Sequence, residues 1–352
     1  MSDRRQFLKD LGVVFTGCAL GGNLGRAQQK AAGRRRQVMV GGRIVKTIDM
    51  HAHVVIPEAS AMMGVKIGPN DPSLSAGNRF TTMDEWGMDM QVLSINPTWY
   101  GTDRDLATKI VQVQNEKLAE LCGKFPERFA AFASVALQFP DLAAQQLEDG
   151  VKKYNLRGAA ISGHVGEDEL SNPKFDPFWR KAEELGILVF MHPNPQGITE
   201  MQKRFAGQGG LVNVIGHPLE TTIFLSHLIF DGTLDKFPGL KICGAHGGGY
   251  LPSYIARSDY GCVRFPEGCR VMKKKPSEYI RQLYFDSMVF TAEGLRHLVA
   301  ECGASQIMIG TDYPFAWSTT TVDHVLNTPG LSDADKRAIL GETAAKLLKI
   351  SL

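Results

Sequence analysis

The run Asp49-Met50-His51-Ala52-His53 sets two imidazoles two residues apart in an apolar stretch. On a strand, residues two apart share a face, so both rings can meet one divalent metal. Such a pair alone also occurs in ordinary packing. Further donors close other apolar runs. His192 ends Phe190-Met191-His192-Pro193, and Asp312 sits in Gly310-Thr311-Asp312-Tyr313-Pro314. Three imidazoles and a carboxylate leave a coordination position open, as a catalytic site requires. His246 lies in Gly244-Ala245-His246-Gly247-Gly248-Gly249, where glycines allow a backbone to approach a ligand closely. His164 closes another run. Each histidine taken singly reads as readily as a cap or core residue. Their shared place at the ends of strand-like runs argues for a site.

Those runs define the elements that must carry the donors. Strands are predicted at 47–55, 90–97, 129–137, 156–164, 187–193, 240–246, 283–289 and 307–314. Helical patterns fall between them, at 103–124, 139–153, 176–186, 219–236, 291–303 and 333–349. Eight βα units in one chain fit an α/β fold of the (β/α)₈ TIM-barrel type, whose active sites gather at the carboxyl ends of the strands. No glycine-rich nucleotide loop follows the first strand, which argues against a Rossmann sheet. Barrel closure would bring strand 8, with Asp312, beside His51 and His53. The segment 56–82, rich in Gly, Pro and Asn, reads as an insertion after strand 1 over the barrel mouth.

The 352 residues are 43% hydrophobic and 22% charged, ordinary composition for a folded chain. Charge is unevenly placed. Residues 1–36 hold eight basic side chains and two acidic ones, whereas the rest is mildly acidic, which argues against a nucleic-acid partner. Ser2-Asp3-Arg4-Arg5-Gln6-Phe7-Leu8-Lys9 resembles a twin-arginine export signal. The apolar run after it, Leu11 to Leu20, is too short to span a bilayer. Residues 1–36 are therefore expected to be a signal peptide and basic linker, and 37–352 a periplasmic or secreted barrel with no transmembrane segment. Phe15-Thr16-Gly17-Cys18 offers lipidation at Cys18 as the lesser alternative. Cys122, Cys243 and Cys302 read as buried thiols; Cys262 and Cys269 could bridge in an oxidising compartment.

The HxH pair, the His192-Pro193 step, His217-Pro218-Leu219-Glu220-Thr221-Thr222, the run from Leu240 to Asp259 and Gly310 to Phe315 together resemble the amidohydrolase superfamily. Within it they resemble the branch of metal-dependent decarboxylases that includes those acting on 2-amino-3-carboxymuconate 6-semialdehyde. The resemblance runs from about residue 46 to the C-terminus. It implies the (β/α)₈ barrel and one divalent metal, zinc foremost and manganese second. The implied ligands are His51, His53, His192 and Asp312, with His246 as acid/base. It further implies a homodimer in which Arg257 reaches a substrate carboxylate across the interface. Strand 4 has no lysine, so a bridged two-metal centre is not expected. Asn194 replaces a tryptophan of the family pattern, and Arg79 looks like a structural arginine before the next helix.

Two reactions fit this residue set. One is non-oxidative decarboxylation of a small unsaturated or aromatic carboxylic acid, with His246 protonating the carbon that bears the carboxylate. The other is hydrolysis of an ester, lactone or amide, with Asp312 or His246 taking a proton from water. Arg257, Asn194, His164 and Phe315 are the candidate substrate contacts. Glu220 either orients the pocket or answers the dipole of its own helix.

Overall fold

In the computed structural model, which describes residues 35–71, 73–74, 78–194, 203–315, 317 and 320–352, eight parallel strands form a closed ring. They are β1 (Ile48–His53), β2 (Met90–Ser94), β3 (Phe129–Ala131), β4 (Gly158–Ile161), β5 (Leu188–Met191), β6 (Lys241–Gly244), β7 (Tyr284–Asp286) and β8 (Ile307–Met308). Ladders join β1 to β3 and β4 to β8. Parallel bridges Ala133–Ala159 and Ala52–Tyr313 complete the circle. The fold is the expected (β/α)₈ barrel. Main-chain bonds from Met50 to Ile309, Asp312 to His51 and His53 to Tyr313 hold strand 8 against strand 1.

The interior is packed with Ile48, Met50, Val92, Phe132, Leu188, Phe190, Cys243 and Met308, and the C-terminal helix Thr343–Leu348 joins the same core through Ala344, Leu347 and Leu348. Burial of a Leu or Phe side chain is worth roughly 1.5–3 kcal/mol, so these layers anchor the strands whose far ends carry polar groups. Strict alternation would put His51 on the face opposite Met50. A register shift between Asp49 and Ala52 breaks the alternation, and His51 packs edge-on to the interior Phe190.

The crossings hold helices Arg104–Lys124, Pro140–Lys152, Asp176–Leu185, His217–Phe230, Leu251–Arg264 and Ala292–Cys302. The segment read as an insertion contains the short helix Pro57–Met62 and the start of Arg79–Trp86, the helix that leads into β2. The strand predicted over 129–137 pairs only through 131, with the single bridge at Ala133 beyond it.

Residues 1–34, with the twin-arginine motif and Cys18, lie outside the described residues. Arg35 and Arg36, assigned from the sequence to the linker, are paired with Asp89 and Asp323 in the folded body. Cys262 and Cys269 form a disulfide; Cys243 and Cys302 are buried free thiols and Cys122 is a half-buried one. Among the described residues no helix is long and apolar enough to cross a membrane.

Candidate metal centre

At the carboxyl end of the ring, β1, β5, β6 and β8 bring His51, His53, His192, His246 and Asp312 to one point. His51 Nε2 and His53 Nε2 are 3.1 Å apart, and they stand 3.2 and 2.9 Å from Asp312 Oδ1. His192 Nε2 lies 3.8 Å from the same oxygen, and His246 Nε2 lies 3.8 Å from Asp312 Oδ2. Donors about 2.05 Å from a tetrahedral ion stand roughly 3.3 Å from one another, so these spacings are those of a ligand set. One donor atom from each of His51, His192, His246 and Asp312 falls within a 4.8 Å group.

Hydrogen bonds decide which ring nitrogens face inward with lone pairs. His51 Nδ1 meets Asp286 Oδ2 at 2.7 Å and can only donate to it. Ser94 Oγ donates to Ala52 O, so at 3.0 Å it accepts from His53 Nδ1. In the neutral rings both Nε2 atoms are then lone-pair acceptors turned toward each other and toward a carboxylate. That arrangement is repulsive until a cation sits among them. Among the described residues, His192 Nδ1 and Nε2 and Asp312 Oδ1 are buried with no hydrogen-bond partner. Buried polar atoms are seldom left so, and a metal ion would satisfy them. The residues present therefore fit a divalent ion.

The electrostatics point the same way. Burial opposes charge on His51, but Asp312 and Asp286 outweigh it and push its pKa up to about 10. A metal ion at this position would displace that proton, so the two cations compete for the same nitrogen. Burial lowers the pKa of His53, and lowers that of His192 further with the help of the neighbouring imidazoles, leaving both neutral and able to ligate. Burial works against ionisation of Asp312 too. The charge that His51 can carry, with the other imidazoles crowded around the carboxylate, still holds it well below the usual carboxylate range.

The backbone is bent to this end. His246 and Asp312 both have φ of 57°, the left-handed region that non-glycine residues seldom enter. Gly310 is bare where a Cβ would stand 2.9 Å from the Cβ atoms of both His51 and Asp286. Asp286 itself was not singled out in the sequence. Besides orienting His51 it accepts the main-chain N–H groups of His246, Gly247 and Met288. Burial raises the pKa of Asp286, but the His51 hydrogen bond and charge more than reverse this. Its one available signal was an acid closing the apolar run of β7. Asp49 is likewise buried, bonded to Thr311, Gln91 and the His51 N–H. His217, whose ring centroid is 6.0 Å from that of His192, is also close by. Burial, then the charge of His246, takes its pKa down to about 4.

The family model for amidohydrolases matches residues 48–350. The chain belongs to the amidohydrolase family. A 2-amino-3-carboxymuconate-6-semialdehyde decarboxylase of Dictyostelium discoideum is 31% identical over 275 residues, covering 77% of this chain and 75% of that protein. The 5-carboxyvanillate decarboxylase of Sphingomonas paucimobilis superposes with a TM-score of 0.79 at 25% identity, over 87% of this chain and 100% of that one. A dihydroxybenzoic acid decarboxylase of Polaromonas, solved with bound manganese and the inhibitor 2-nitroresorcinol, does so at 0.77 and 26%, over 87% and 97%.

The remaining predicted contacts of this amidohydrolase are spread around the mouth. The Phe315 ring centroid is 5.8 Å from that of His53, and the side chain is half exposed. His164 spends Nδ1 on Gly166 O at 2.8 Å and Nε2 on Asn194 O at 3.2 Å. Asn194 Nδ2 donates to Pro97 O. Arg257 lies on the exposed side of helix Leu251–Arg264, with no ion-pair partner among the described residues. Arg79 is fully buried, bonded to Gln91 and to His53 O, with its guanidinium 4.3 Å from the Tyr313 ring centroid. It is a structural arginine.

Proposed function

We propose that this amidohydrolase is a metal-dependent, non-oxidative decarboxylase of a small aromatic or otherwise unsaturated carboxylic acid. The reading is carried by His246. It is the most open imidazole of the cluster, with a side chain 13% exposed against 0% for His51, 5% for His53 and 6% for His192. A proton donor must reach the substrate, whereas ligands need only reach the ion.

His51, His53, His192 and Asp312 would hold one divalent ion, zinc or manganese. Such an ion supplies positive charge for the substrate carboxylate and an adjacent oxygen. His246 delivers a proton to the carbon that carries the carboxylate. The carbon–carboxylate bond then breaks, its electron pair restores the unsaturated system, and CO₂ leaves. The balance is a carboxylate and a proton in, the shortened acid-free product and CO₂ out. Asp312 Oδ2 stands 3.8 Å from His246 Nε2, close enough to orient the ring toward the mouth. Phe315 offers an aromatic face to the substrate ring, with His164 and Asn194 at the same mouth.

Arg257 would serve a substrate carboxylate of a neighbouring copy in a homodimer, a reading supported by its exposure and by the lack of an ion-pair partner among the described residues. Mixing His246→Ala with Arg257→Ala chains should then recover partial activity, and a fully active monomer would exclude it. Arg4 and Arg5 would direct twin-arginine export to the periplasm, where the Cys262–Cys269 disulfide is suited to the oxidising environment. Changing both arginines to Lys should leave activity in the cytoplasm; unchanged periplasmic activity would refute export by this route.

The test of the reaction is a panel of hydroxylated aromatic acids and their esters and lactones, offered to metal-replete protein with product mass spectrometry. Loss of 44 mass units as CO₂ is expected. Cleavage of esters or lactones with no CO₂ from any acid would replace this reading with hydrolysis.

A further inference from the structure

His192 differs from His51 and His53: neither of its ring nitrogens has a hydrogen-bond partner among the described residues, although the residue is only 4% exposed. Histidines that bind metal ordinarily donate the second ring nitrogen to a partner that orients the ring. Here orientation has to come through the main chain. Two residues on, Asn194 is pinned by three of its polar groups at once. Its N–H donates to Glu220 Oε1 at 3.1 Å, its C=O faces His164 Nε2 at 3.2 Å, and its Nδ2 donates to Pro97 O at 3.0 Å.

Glu220 is the hub of this anchor. It stands in the first turn of helix His217–Phe230, is 2% exposed, and reaches across to the strand ends rather than capping its own helix. The same Oε1 accepts the N–H of Gly163 at 3.3 Å and lies 3.7 Å from His164 Nε2. Gly163 has no side chain for a packing reason, since a Cβ there would stand 2.9 Å from Glu220 Oε1 and 2.7 Å from Met191 Cε. One carboxylate oxygen thus ties the ends of β4 and β5 together. Those two N–H groups lie past the last ladder bond, which His192 N makes to Ile161 O. Left unmet in a buried place, each would cost about 1–3 kcal/mol.

We infer that Glu220 is a positioning residue that sets the place of His192 by holding Asn194 and Gly163, with His164 and Pro97 as its auxiliaries. Asn194 and His164 are then struts of the metal centre, their polar groups committed to the scaffold. The inference rests on the reading of His192 as a ligand.

The experiment titrates the metal-free full chain with zinc, reading Kd by competition with a chromophoric chelator. Glu220→Ala should weaken zinc binding roughly 10–100-fold, the usual cost of losing a partner behind a ligand. Glu220→Gln keeps an oxygen that can accept both N–H groups, and its Kd should stay within about threefold of the parent, less than the worth of one hydrogen bond. Leu147→Ala, which hollows the outer core, should lower Tm without moving Kd, separating position from general destabilisation. A folded Glu220→Ala protein with unchanged Kd would overturn the inference, as would a Gln variant as weak as the Ala one. If Glu220→Ala does not fold, Glu220→Asp, retracted by one methylene, is held to the same standard. A parent chain that binds neither zinc nor manganese would instead refute the ligand reading itself.

Discussion

The candidate metal ligands of β1 and of β5 are held by different means. His51 and His53 each have a side-chain partner at Nδ1, Asp286 and Ser94, which fixes the tautomer and the ring plane together. His192 has none among the described residues, and its surroundings grip the backbone two residues away. A side-chain partner acts directly on ligand basicity, whereas a backbone anchor acts only on position. One side of this centre is therefore tuned electronically as well as geometrically, and the other only geometrically.

The largest effects should come from the donors themselves. His192→Ala is expected to lose both metal and activity. His246→Ala is expected to keep the metal and lose roughly 10²–10⁴-fold in rate, the usual contribution of a positioned acid/base. Metal analysis alongside kcat checks both. If His246→Ala strips the ion as fully as His192→Ala, His246 belongs among the ligands.

A smaller effect should separate the two supports on β1. Asp286→Asn removes the charge behind His51 and weakens three main-chain contacts, so metal affinity should fall roughly 10–100-fold. Ser94→Ala removes a neutral hydrogen bond worth about 0.5–1.5 kcal/mol, and should cost no more than about tenfold. Equal losses on zinc titration would mean that the charge of Asp286 adds nothing to its geometry.

The smallest effect is in the pH dependence of stability. Burial pushes the Glu220 pKa up to about 7, offset in part by His164 and the two N–H groups. The folded state therefore holds a proton that the unfolded chain releases near 4.5. The stabilisation this gives is complete below the unfolded pKa and is lost as pH rises through about 7. Glu220→Gln carries no such group, so its Tm relative to the parent, in metal-free protein, should rise between pH 5 and pH 8. Asp286 is depressed instead and stays ionised across that window. A flat Glu220→Gln difference would show that Glu220 is ionised throughout.

Most of this arrangement is legible in the sequence. Alternating apolar runs and helical stretches point to parallel βα units, and donors at the carboxyl ends of those runs point to one mouth. The predicted strands reached too far at 129–137 because Ala, Phe and Val continue past the last paired residue, and only neighbouring strands define where pairing stops. The helix expected after Arg79 begins at Arg79 itself and runs to Trp86, bounds that its mixed polar and apolar residues do not mark in the sequence.

What the sequence by itself determined was the inventory and its approximate place: His51, His53, His192, His246 and Asp312 at strand ends, in a barrel that closes. Period-two geometry and the direction of parallel strands are local properties, readable from a few residues at a time. Only the tertiary structure decided which groups stand behind the donors. Asp286 reaches His51 across 235 residues, and Glu220 reaches Gly163 across 57. Asp286 is one acid closing an apolar run, and Glu220, although part of the His217–Thr222 motif, could from the sequence equally answer the dipole of its own helix. Their roles arise from the closure of the ring and the docking of one helix over two strand ends, which place a buried charge where main-chain N–H groups or an imidazole need an acceptor.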